Sequence, residues 1–170
     1  MLCLLGCGSK PLAPAPPQQF DLSGTWLLQA DLSDAPPGQR QLETLPPPIP
    51  GASRSRERRK PGGGLAFVAH DFPVLVARRM VIEQNADSMG IEYDRGAYRD
   101  ISWGERTRGL WTVTTGWDDE GQLVVRSKAK DADAVETMTL STNGQSLTVH
   151  LEIEAGQQDV DVRRVFSKAP

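Results

Sequence analysis

The chain has 170 residues, with 13 prolines, 16 glycines and a formal net charge of −3 at neutral pH. All of the prolines except Pro73 and Pro170 lie between Pro11 and Pro61, which excludes most of that stretch from the interior of a sheet or helix. From Leu65 onward acidic side chains outnumber basic ones, unlike the basic face of a nucleic-acid-binding domain. No apolar run reaches the length of about 18 residues that a membrane-spanning helix needs. The sequence therefore predicts one folded domain of ordinary size.

The two cysteines of the chain, Cys3 and Cys7, both lie near its N-terminus. Their position excludes a disulfide framework or a cysteine metal site within the folded domain. The short apolar run Leu4-Leu5-Gly6 precedes Cys7 and resembles the lipobox of bacterial lipoproteins. This resemblance implies that Cys7 is acylated and becomes the mature N-terminus, with each buried CH₂ of the acyl chains contributing about 0.8 kcal/mol to anchoring.

The N-terminus departs from an ordinary signal peptide in two respects. It has no positively charged n-region, and its apolar run is shorter than the usual length of about 7 to 15 residues. Two explanations remain open: a start codon assigned too late, or a cytoplasmic protein whose two thiols have no role in attachment. Because Gly8 rather than an aspartate follows Cys7, the lipoprotein resemblance implies an outer-membrane anchor that faces the periplasm.

Three regions are predicted along the chain. Residues 1–7 form the lipoprotein signal remnant, residues 8–19 a disordered proline-rich tether, and residues 20–170 a single β domain. A proline-rich spacer favours polyproline II, which extends by about 3.1 Å per residue. We therefore expect the tether to act as a spacer between the domain and a lipid surface.

The first predicted strand occupies residues 20–30, with Trp26 on its apolar face. Residues 31–64 then return to proline, glycine, serine and arginine, a composition that predicts a disordered insertion. Residues 65–76 are ambiguous, because their apolar start favours a short helix that Pro73 would stop.

Short runs of alternating apolar and polar residues follow, separated by turn residues at intervals of about 8 to 12 residues. The alternation is cleanest in residues 146–154, where every second side chain is apolar. This pattern is typical of an antiparallel sheet that covers one core. The predicted runs are 79–84, 88–94, 97–103, 109–117, 122–129, 134–140, 146–154 and 159–167, with residues 104–108 as a connection.

With the first strand included, about eight or nine strands are predicted, enough to close a meander into a barrel. The strand start Gly24-Thr25-Trp26 and a late arginine, Arg163 or Arg164, resemble those of a lipocalin-like (calycin) β-barrel. In that family the Gly-x-Trp strand closes the barrel floor, and the arginine packs over the indole in a cation–π contact of about 1 kcal/mol. The long insertion after the first strand departs from the family. The expected fold is an all-β, antiparallel up-and-down barrel, with an open sheet or a sandwich as the alternative.

Five aromatic side chains on the predicted strands could line the mouth or the interior of such a barrel. An eight-stranded barrel holds either packed side chains or one small ligand. A ligand cavity and a solid core therefore both remain open. The five residues are Tyr93, Tyr98, Trp103, Trp111 and Trp117.

A basic cluster lies within the predicted insertion, at Arg54, Arg56, Arg58, Arg59 and Lys60. It is either a solubilising segment or a mobile contact for anionic polymers of the cell envelope. A nucleic-acid role would require a cytoplasmic protein and conflicts with the lipobox.

The sequence contains no catalytic motif of a known type. No spacing pairs the two histidines, His70 and His150, and His150 falls on the polar face of its predicted strand. The acidic pairs in the turns do not match the spacing of a calcium loop. We therefore expect no enzyme activity, no metal, no cofactor and no nucleic-acid partner.

Two functions remain. In the first, the protein is a membrane-anchored, periplasmic binding module whose barrel holds a small apolar or amphipathic molecule. In the second, the barrel is solid and the protein is an envelope interaction or structural lipoprotein that acts through its surface. The two hypotheses differ in whether the barrel admits a ligand.

Overall fold

The computed structural model describes residues 10–17, 20–36, 71–155 and 158–170. These residues form ten β-strands and two single-turn 3₁₀ helices. No helix in this part of the chain is long and apolar enough to cross a membrane. The strands are β1 (Gly24–Leu28), β2 (Arg79–Gln84), β3 (Ser88–Tyr93), β4 (Tyr98–Ser102), β5 (Gly104–Arg108), β6 (Trp111–Trp117), β7 (Leu123–Lys128), β8 (Ala132–Leu140), β9 (Ser146–Ala155) and β10 (Gln158–Lys168), and the helices are Ala30–Leu32 and Pro73–Leu75.

The strands form one antiparallel meander. Each strand pairs with its neighbour in the chain except that β4 does not pair with β5, and β1 pairs with β10. The sheet order is therefore β4-β3-β2-β1-β10-β9-β8-β7-β6-β5, which makes a nearly closed barrel with β4 and β5 as its two edges. The predicted all-β, antiparallel up-and-down barrel is confirmed, and the open sheet and the sandwich are excluded.

The barrel has ten strands rather than about eight or nine, because β5 forms where the sequence predicts a connection. β5 reads Gly-Glu-Arg-Thr-Arg and carries no apolar side chain, so no hydrophobic alternation marks it as a strand. We call the unpaired boundary between β4 and β5 the seam. Across the seam, the Arg106 guanidinium of β5 donates to the Asp100 carboxylate at 2.9 Å and to Ser102 Oγ at 3.1 Å.

Alternate side chains of the strands point into the barrel and form one core. The alternation predicted for β9 is present, since Leu147, Val149 and Leu151 are fully buried whereas Glu152 and Glu154 are exposed. Burying one such aliphatic side chain contributes about 1.5–3 kcal/mol. Hydrophobic burial on the inner faces of the strands is therefore the main source of stability.

The two ends of the barrel differ. At the end we call the mouth, where β3 and β5 end, residues 72–77 pack into the barrel, and Phe72, Val74 and Leu75 are at most 3% exposed. Pro73 begins the second 3₁₀ helix there, which ends at Leu75. The opposite end, which we call the closed end, is filled by Phe20, Leu22, Trp26, Trp103 and Trp117.

Residues 10–17, which the sequence assigns to a free spacer, lie against the closed end of the barrel. We call these residues the strap. Ala13 pairs with Trp117 at the end of β6: the Ala13 amide donates to Trp117 O at 2.7 Å, and the Trp117 amide donates to Ala13 O at 2.9 Å. The strap therefore takes a strand position beside β6 at the point where β5 is absent.

A glycine in β6 explains why the strap can lie so close. Gly116 faces outward, and a Cβ atom at this position would lie 2.6 Å from Ala13 O and 2.8 Å from Leu12 Cβ. Val124, its cross-strand partner on β7, is only 5% exposed although it also faces outward. A glycine within a strand often marks the close approach of another backbone. Proline content alone predicts a spacer. The contact of the strap with β6 depends instead on the absence of a side chain at Gly116, in another part of the chain.

Several predictions concern residues outside the described ranges: the acylation of Cys7, the basic cluster at residues 54–60, His70, and most of the insertion at residues 31–64. Residues 31–36 of that insertion are described. They include part of the first 3₁₀ helix and reach β10, where the Arg163 amide donates to the carboxylate of Asp34 at 2.8 Å.

Candidate ligand-binding site

A buried ion pair lies inside the barrel. Arg99 of β4 and Glu136 of β8 both face inward, where Arg99 Nη1 donates to Glu136 Oε2 and the side chains are 2% and 0% exposed. Buried charges are tolerated when they are paired, so each residue depends on the other. Sequence reasoning missed this pair. The sequence does contain one signal for it. Glu136 lies two residues from Ala134 and two from Met138, so the alternation of β8 places it on the same buried face as these two residues.

The surroundings keep Arg99 charged. Burial is the largest single effect and lowers the pKa of Arg99, but the charge of Glu136, the influence of Tyr93 and the hydrogen bonding of the guanidinium together outweigh it, so the pKa lies above the ordinary value. The ring of Phe72 also lies near the guanidinium, with Arg99 Cζ 5.8 Å from the ring centroid. A cation–π contact of this kind favours the charged form. The segment that fills the mouth thus packs directly on the ion pair.

Six buried side-chain polar atoms have no hydrogen-bond partner among the residues that the structure describes: Tyr93 Oη, Arg106 Nε, Thr115 Oγ1, Trp117 Nε1, Glu136 Oε1 and Arg164 Nε. Tyr93 is 2% exposed, and its hydroxyl interacts electrostatically with Arg99 without the geometry of a hydrogen bond. Leaving a buried polar group unpaired costs about 1–3 kcal/mol. These atoms make part of the barrel interior polar and available for hydrogen bonding.

Tyr93 is expected to resist ionisation in the folded protein, because burial and then the charge of Glu136 raise the pKa of its phenol well above the ordinary value. The protonated phenol stabilises the fold fully below the ordinary pKa of about 10, and this contribution is lost as the pH rises toward the folded value. In a Tyr98→Phe variant, Tyr93 is the only tyrosine left of two. Phenolate absorbance should then appear only together with loss of the circular-dichroism signal. A phenolate in a protein that is still folded would contradict this prediction.

A cleft of about 380 Å³ opens at the mouth and reaches Tyr93. Arg108 of β5 lies on its polar side and donates no hydrogen bond to any described residue. Burial, followed by the neighbouring charge of Arg99, lowers the pKa of Arg108. The cleft therefore joins a partly buried cation and a buried hydroxyl to an apolar wall, which is formed by Pro73, Val76, Ala77 and Ala97.

A second, more open cleft of about 700 Å³ adjoins the first at the mouth and shares Val76 and Arg95 with it. Arg78 and Arg164 also line this cleft, together with leucines of β1. Three arginines, Arg78, Arg95 and Arg108, thus surround the mouth of a chain whose net charge is −3. Asp34 and Asp94 also line the two clefts, so arginines outnumber aspartates there and the clefts carry an excess of positive charge within an acidic protein.

The structure separates the five predicted aromatic residues into two groups. Trp103 and Trp117 fill the closed end, where their rings meet edge to face with centroids 4.7 Å apart. Tyr93, Tyr98 and Trp111 lie at the mouth, and of these the two tyrosines line the cleft of about 380 Å³. The five side chains therefore do not line a single cavity.

Tyr98 and Trp111 have distinct positions at the mouth. Tyr98 is 66% exposed, and its ring covers Gly90 on the outside of the barrel. Trp111 Nε1 donates to the carboxylate of Asp71 at 3.0 Å, and its ring meets Phe72 edge to face with centroids 5.7 Å apart. Trp111 thereby fastens the mouth segment to β6.

Trp26 lies fully buried at the closed end, and its Nε1 donates to Leu22 O at 2.7 Å. The cation near its ring is Lys168, whose Nζ lies 5.5 Å from the centroid. The lysine chain also passes close to Gly24, where φ is +131° and a Cβ atom would lie 2.9 Å from Lys168 Cε. The Gly-x-Trp start therefore accommodates both the indole and the cation beside it.

The two arginines proposed from the family resemblance have other contacts. Arg164 faces inward from β10 and donates to Asp34 O at 2.9 Å and Ala77 O at 3.0 Å, which ties the segments before and after the insertion to the barrel. Burial lowers the pKa of Arg164, while Asp34 opposes this effect. Arg163 is exposed on the outer face and donates to Leu32 O at 3.4 Å.

His150 lies on the outer face of the barrel, with its Nε2 2.8 Å from Asp161 Oδ1. Its side chain is 40% exposed. Within the ranges that the structure describes, no group of three or more histidine, cysteine, aspartate or glutamate side chains could hold a metal ion.

Comparison with protein-family models finds no match, and comparison with curated proteins finds none either. Among solved structures, a luciferase domain from the dinoflagellate Lingulodinium polyedrum has a TM-score of 0.53 and 11% sequence identity, covering 95% of this chain and 46% of that chain. The crystal structure of wild-type fluorescent protein UnaG has a TM-score of 0.49 and 15% identity, covering 86% of this chain and 96% of that chain. The likeness to the luciferase domain supports the barrel fold alone.

Proposed function

We propose that the protein is a non-catalytic binding module that takes up a small apolar or amphipathic molecule at the mouth of its barrel. The observation that carries the proposal is the cleft of about 380 Å³ that Tyr93 and Arg108 line together with small apolar side chains. Ligand pockets in proteins commonly have about 300–1,000 Å³ and combine an apolar lining with a few polar groups. Ala77 and Ala97 beside Tyr93 and Arg108 provide that combination.

The polar groups favour an amphipathic ligand over a purely apolar one. Tyr93 lines the cleft, and a ligand that displaces the side chains covering its buried hydroxyl can hydrogen-bond to Oη, which has no partner among the described residues. Arg108 can donate to an acceptor on the same ligand, because its guanidinium is at the cleft and donates to no described residue. Arg99 is already engaged by Glu136 and is not counted among the available donors.

The closed end favours the second candidate, a solid-barrel envelope protein. Trp26 and Trp117 are at most 1% exposed there, so packed side chains occupy that part of the interior. A ligand site is therefore confined to the half of the barrel nearer the mouth. In the second candidate, the outer surface and the basic cluster at residues 54–60 contact anionic polymers of the envelope.

Displacement of a fluorescent fatty acid tests the ligand proposal. The chain with both cysteines replaced by serine is expected to bind the probe at one site and to release it to competing amphipathic molecules. Ala97→Trp fills the cleft and should weaken binding about tenfold or more, a change of about 1.4 kcal/mol. Thr107→Trp, which places the same side chain on the outer face of β5, serves as the control. If no probe binds and mass spectrometry finds no co-purified small molecule, the solid-barrel candidate is preferred.

We also propose that the protein is anchored by an acylated Cys7 in the outer membrane and faces the periplasm. The lipobox-like sequence before Cys7 and the glycine after it support this address. Globomycin treatment, or a Cys7→Ala variant, is expected to change the mobility of the protein on gels and to release it from the membrane fraction. Unchanged mobility and unchanged fractionation would count against the anchor.

A further inference from the structure

The strap connects the barrel to its anchor at one particular end. We propose that the strap holds the closed end of the barrel next to the lipid surface and turns the mouth away from it. This inference rests on the proposed attachment through Cys7. Cys7 is three residues before Lys10, and a chain spans at most about 3.6 Å per residue, so the two lie within about 11 Å. Lys10 is at the closed end, where its Nζ is 3.3 Å from the Asp119 carboxylate.

The strap contacts the barrel at Lys10 and Ala13, and the chain that follows it meets the barrel again at Phe20. At its start, Arg126 donates to Lys10 O at 2.7 Å, and in its middle Ala13 pairs with Trp117. At its end, the Phe20 amide donates to the carbonyl of Pro17 at 3.2 Å, and the Phe20 ring meets Trp117 edge to face with centroids 5.9 Å apart. These contacts involve backbone groups as well as side chains, so the strap has one defined register on the barrel.

Charge alone would favour the opposite orientation. The turn after β6, at the closed end, carries Asp118, Asp119 and Glu120, which an anionic lipid surface repels. The mouth carries the basic residues that such a surface attracts, namely Arg78, Arg95 and Arg108. Leu110, also at the mouth, is 82% exposed and could enter the lipid interface. A barrel on a long free tether would therefore turn its mouth toward the membrane.

Chain length decides between the two orientations. The mouth lies at the far end of β6 from the strap, and a strand of that length spans about 20 Å at about 3.4 Å per residue. With the strap docked, the chain from Cys7 to Lys10 spans at most about 11 Å, which is too short to bring the mouth to the surface. With the strap released, residues 8–19 would extend by about 37 Å at about 3.1 Å per residue, and either end could reach the membrane. Docking of the strap is thus the feature that sets the orientation.

Gly116→Val tests the docking itself, because the added side chain occupies the position of Ala13 O. Thr114→Val places the same side chain on the same outward face of β6, two residues before Gly116, and is the matched control. Hydrogen exchange is expected to show protected amides at Ala13 and Trp117 in the unmodified chain and in Thr114→Val. Both amides should lose protection in Gly116→Val, while β9 stays protected. Unprotected amides at both positions in the unmodified chain would overturn the proposal.

Orientation is tested on vesicles of phosphatidylcholine and phosphatidylglycerol. The full chain with Cys3→Ser is coupled through Cys7 to a maleimide lipid, and a fluorescent amino acid replaces either Thr142 at the closed end or Leu110 at the mouth. Nitroxide groups on the lipid headgroups are expected to quench the probe at 142 several-fold more than the probe at 110. In Gly116→Val this difference should vanish or reverse, and in Thr114→Val it should remain.

In the protein that retains Gly116, stronger quenching of the probe at 110 than of the probe at 142, or equal quenching of both, would overturn the inference. Chemical coupling replaces acylation in this experiment, so its outcome does not depend on whether cells process Cys7. The globomycin and fatty-acid experiments report separately on the anchor and on the ligand.

Discussion

Glu136→Gln is expected to lower the free energy of unfolding by about 3–5 kcal/mol, because it leaves Arg99 charged and without a counter-charge inside the barrel. Arg99 is 2% exposed, so water cannot replace the lost carboxylate. An arginine also keeps its proton under all ordinary conditions, so it cannot escape the cost by becoming neutral. Urea denaturation at neutral pH measures the change as a shift of the midpoint with an unchanged slope.

A double variant separates the cost of an unpaired charge from the cost of altered packing. Arg99→Met with Glu136→Leu removes both charges and fills similar space, so its stability should equal that of the unmodified protein or exceed it by about 1–4 kcal/mol. Asp133→Asn is the surface control: it breaks an ion pair with Lys128 whose side chains are 57% and 77% exposed. Such a pair contributes about 0–1 kcal/mol. If Glu136→Gln and Asp133→Asn lowered the free energy of unfolding equally, the Arg99–Glu136 pair would contribute no more to stability than an exposed ion pair.

Trp26→Ala is expected to lower the free energy of unfolding by about 3–5 kcal/mol, the usual range for removing a large core aromatic. Trp26 is 0% exposed and packs at the closed end, where its removal leaves a cavity. The same change leaves Leu22 O without the indole donor that now lies at 2.7 Å. Thermal and urea unfolding both measure the loss.

Lys168→Met distinguishes the indole from the cation near it. This variant keeps the aliphatic chain beside Gly24 and removes only the charge over the ring, so we expect a loss of about 0.5–1 kcal/mol. A loss from Lys168→Met as large as that from Trp26→Ala would mean that the cation, and not the buried ring, stabilises the closed end.

Much of the barrel could be predicted because the sequence patterns that mark its strands and turns are local. Strands such as β9 alternate strictly between apolar and polar side chains, and the turns between them contain residues that tolerate positive φ. β5 was missed for the converse reason. Its inward positions hold Arg106 and Arg108, so a strand that completes the barrel has no hydrophobic pattern.

The candidate site could be predicted only in part, because its residues meet through long-range pairing. Arg99 and Glu136 are 37 positions apart, and no local pattern joins them. Tyr93 was included among the candidate cavity residues, but composition cannot distinguish a tyrosine that lines a cleft from a tryptophan that fills the closed end. The strap shows the same limit. Proline content predicts an extended conformation, whereas its docking depends on Gly116, about a hundred positions later in the chain.

The seam between β4 and β5 gives the barrel one direction in which it can widen at low cost. Separating any other neighbouring strands would break a ladder of backbone hydrogen bonds, each worth about 0.5–1.5 kcal/mol. Separating β4 from β5 breaks no ladder, and the described link across it is the guanidinium of Arg106 on Asp100 and Ser102. Arg99 and Arg108 lie on these same two strands, so widening at the seam would also change the distance between the ion pair and the cleft. The barrel can therefore open along one line only, and Arg108, which is proposed to meet the ligand, lies on one edge of that line.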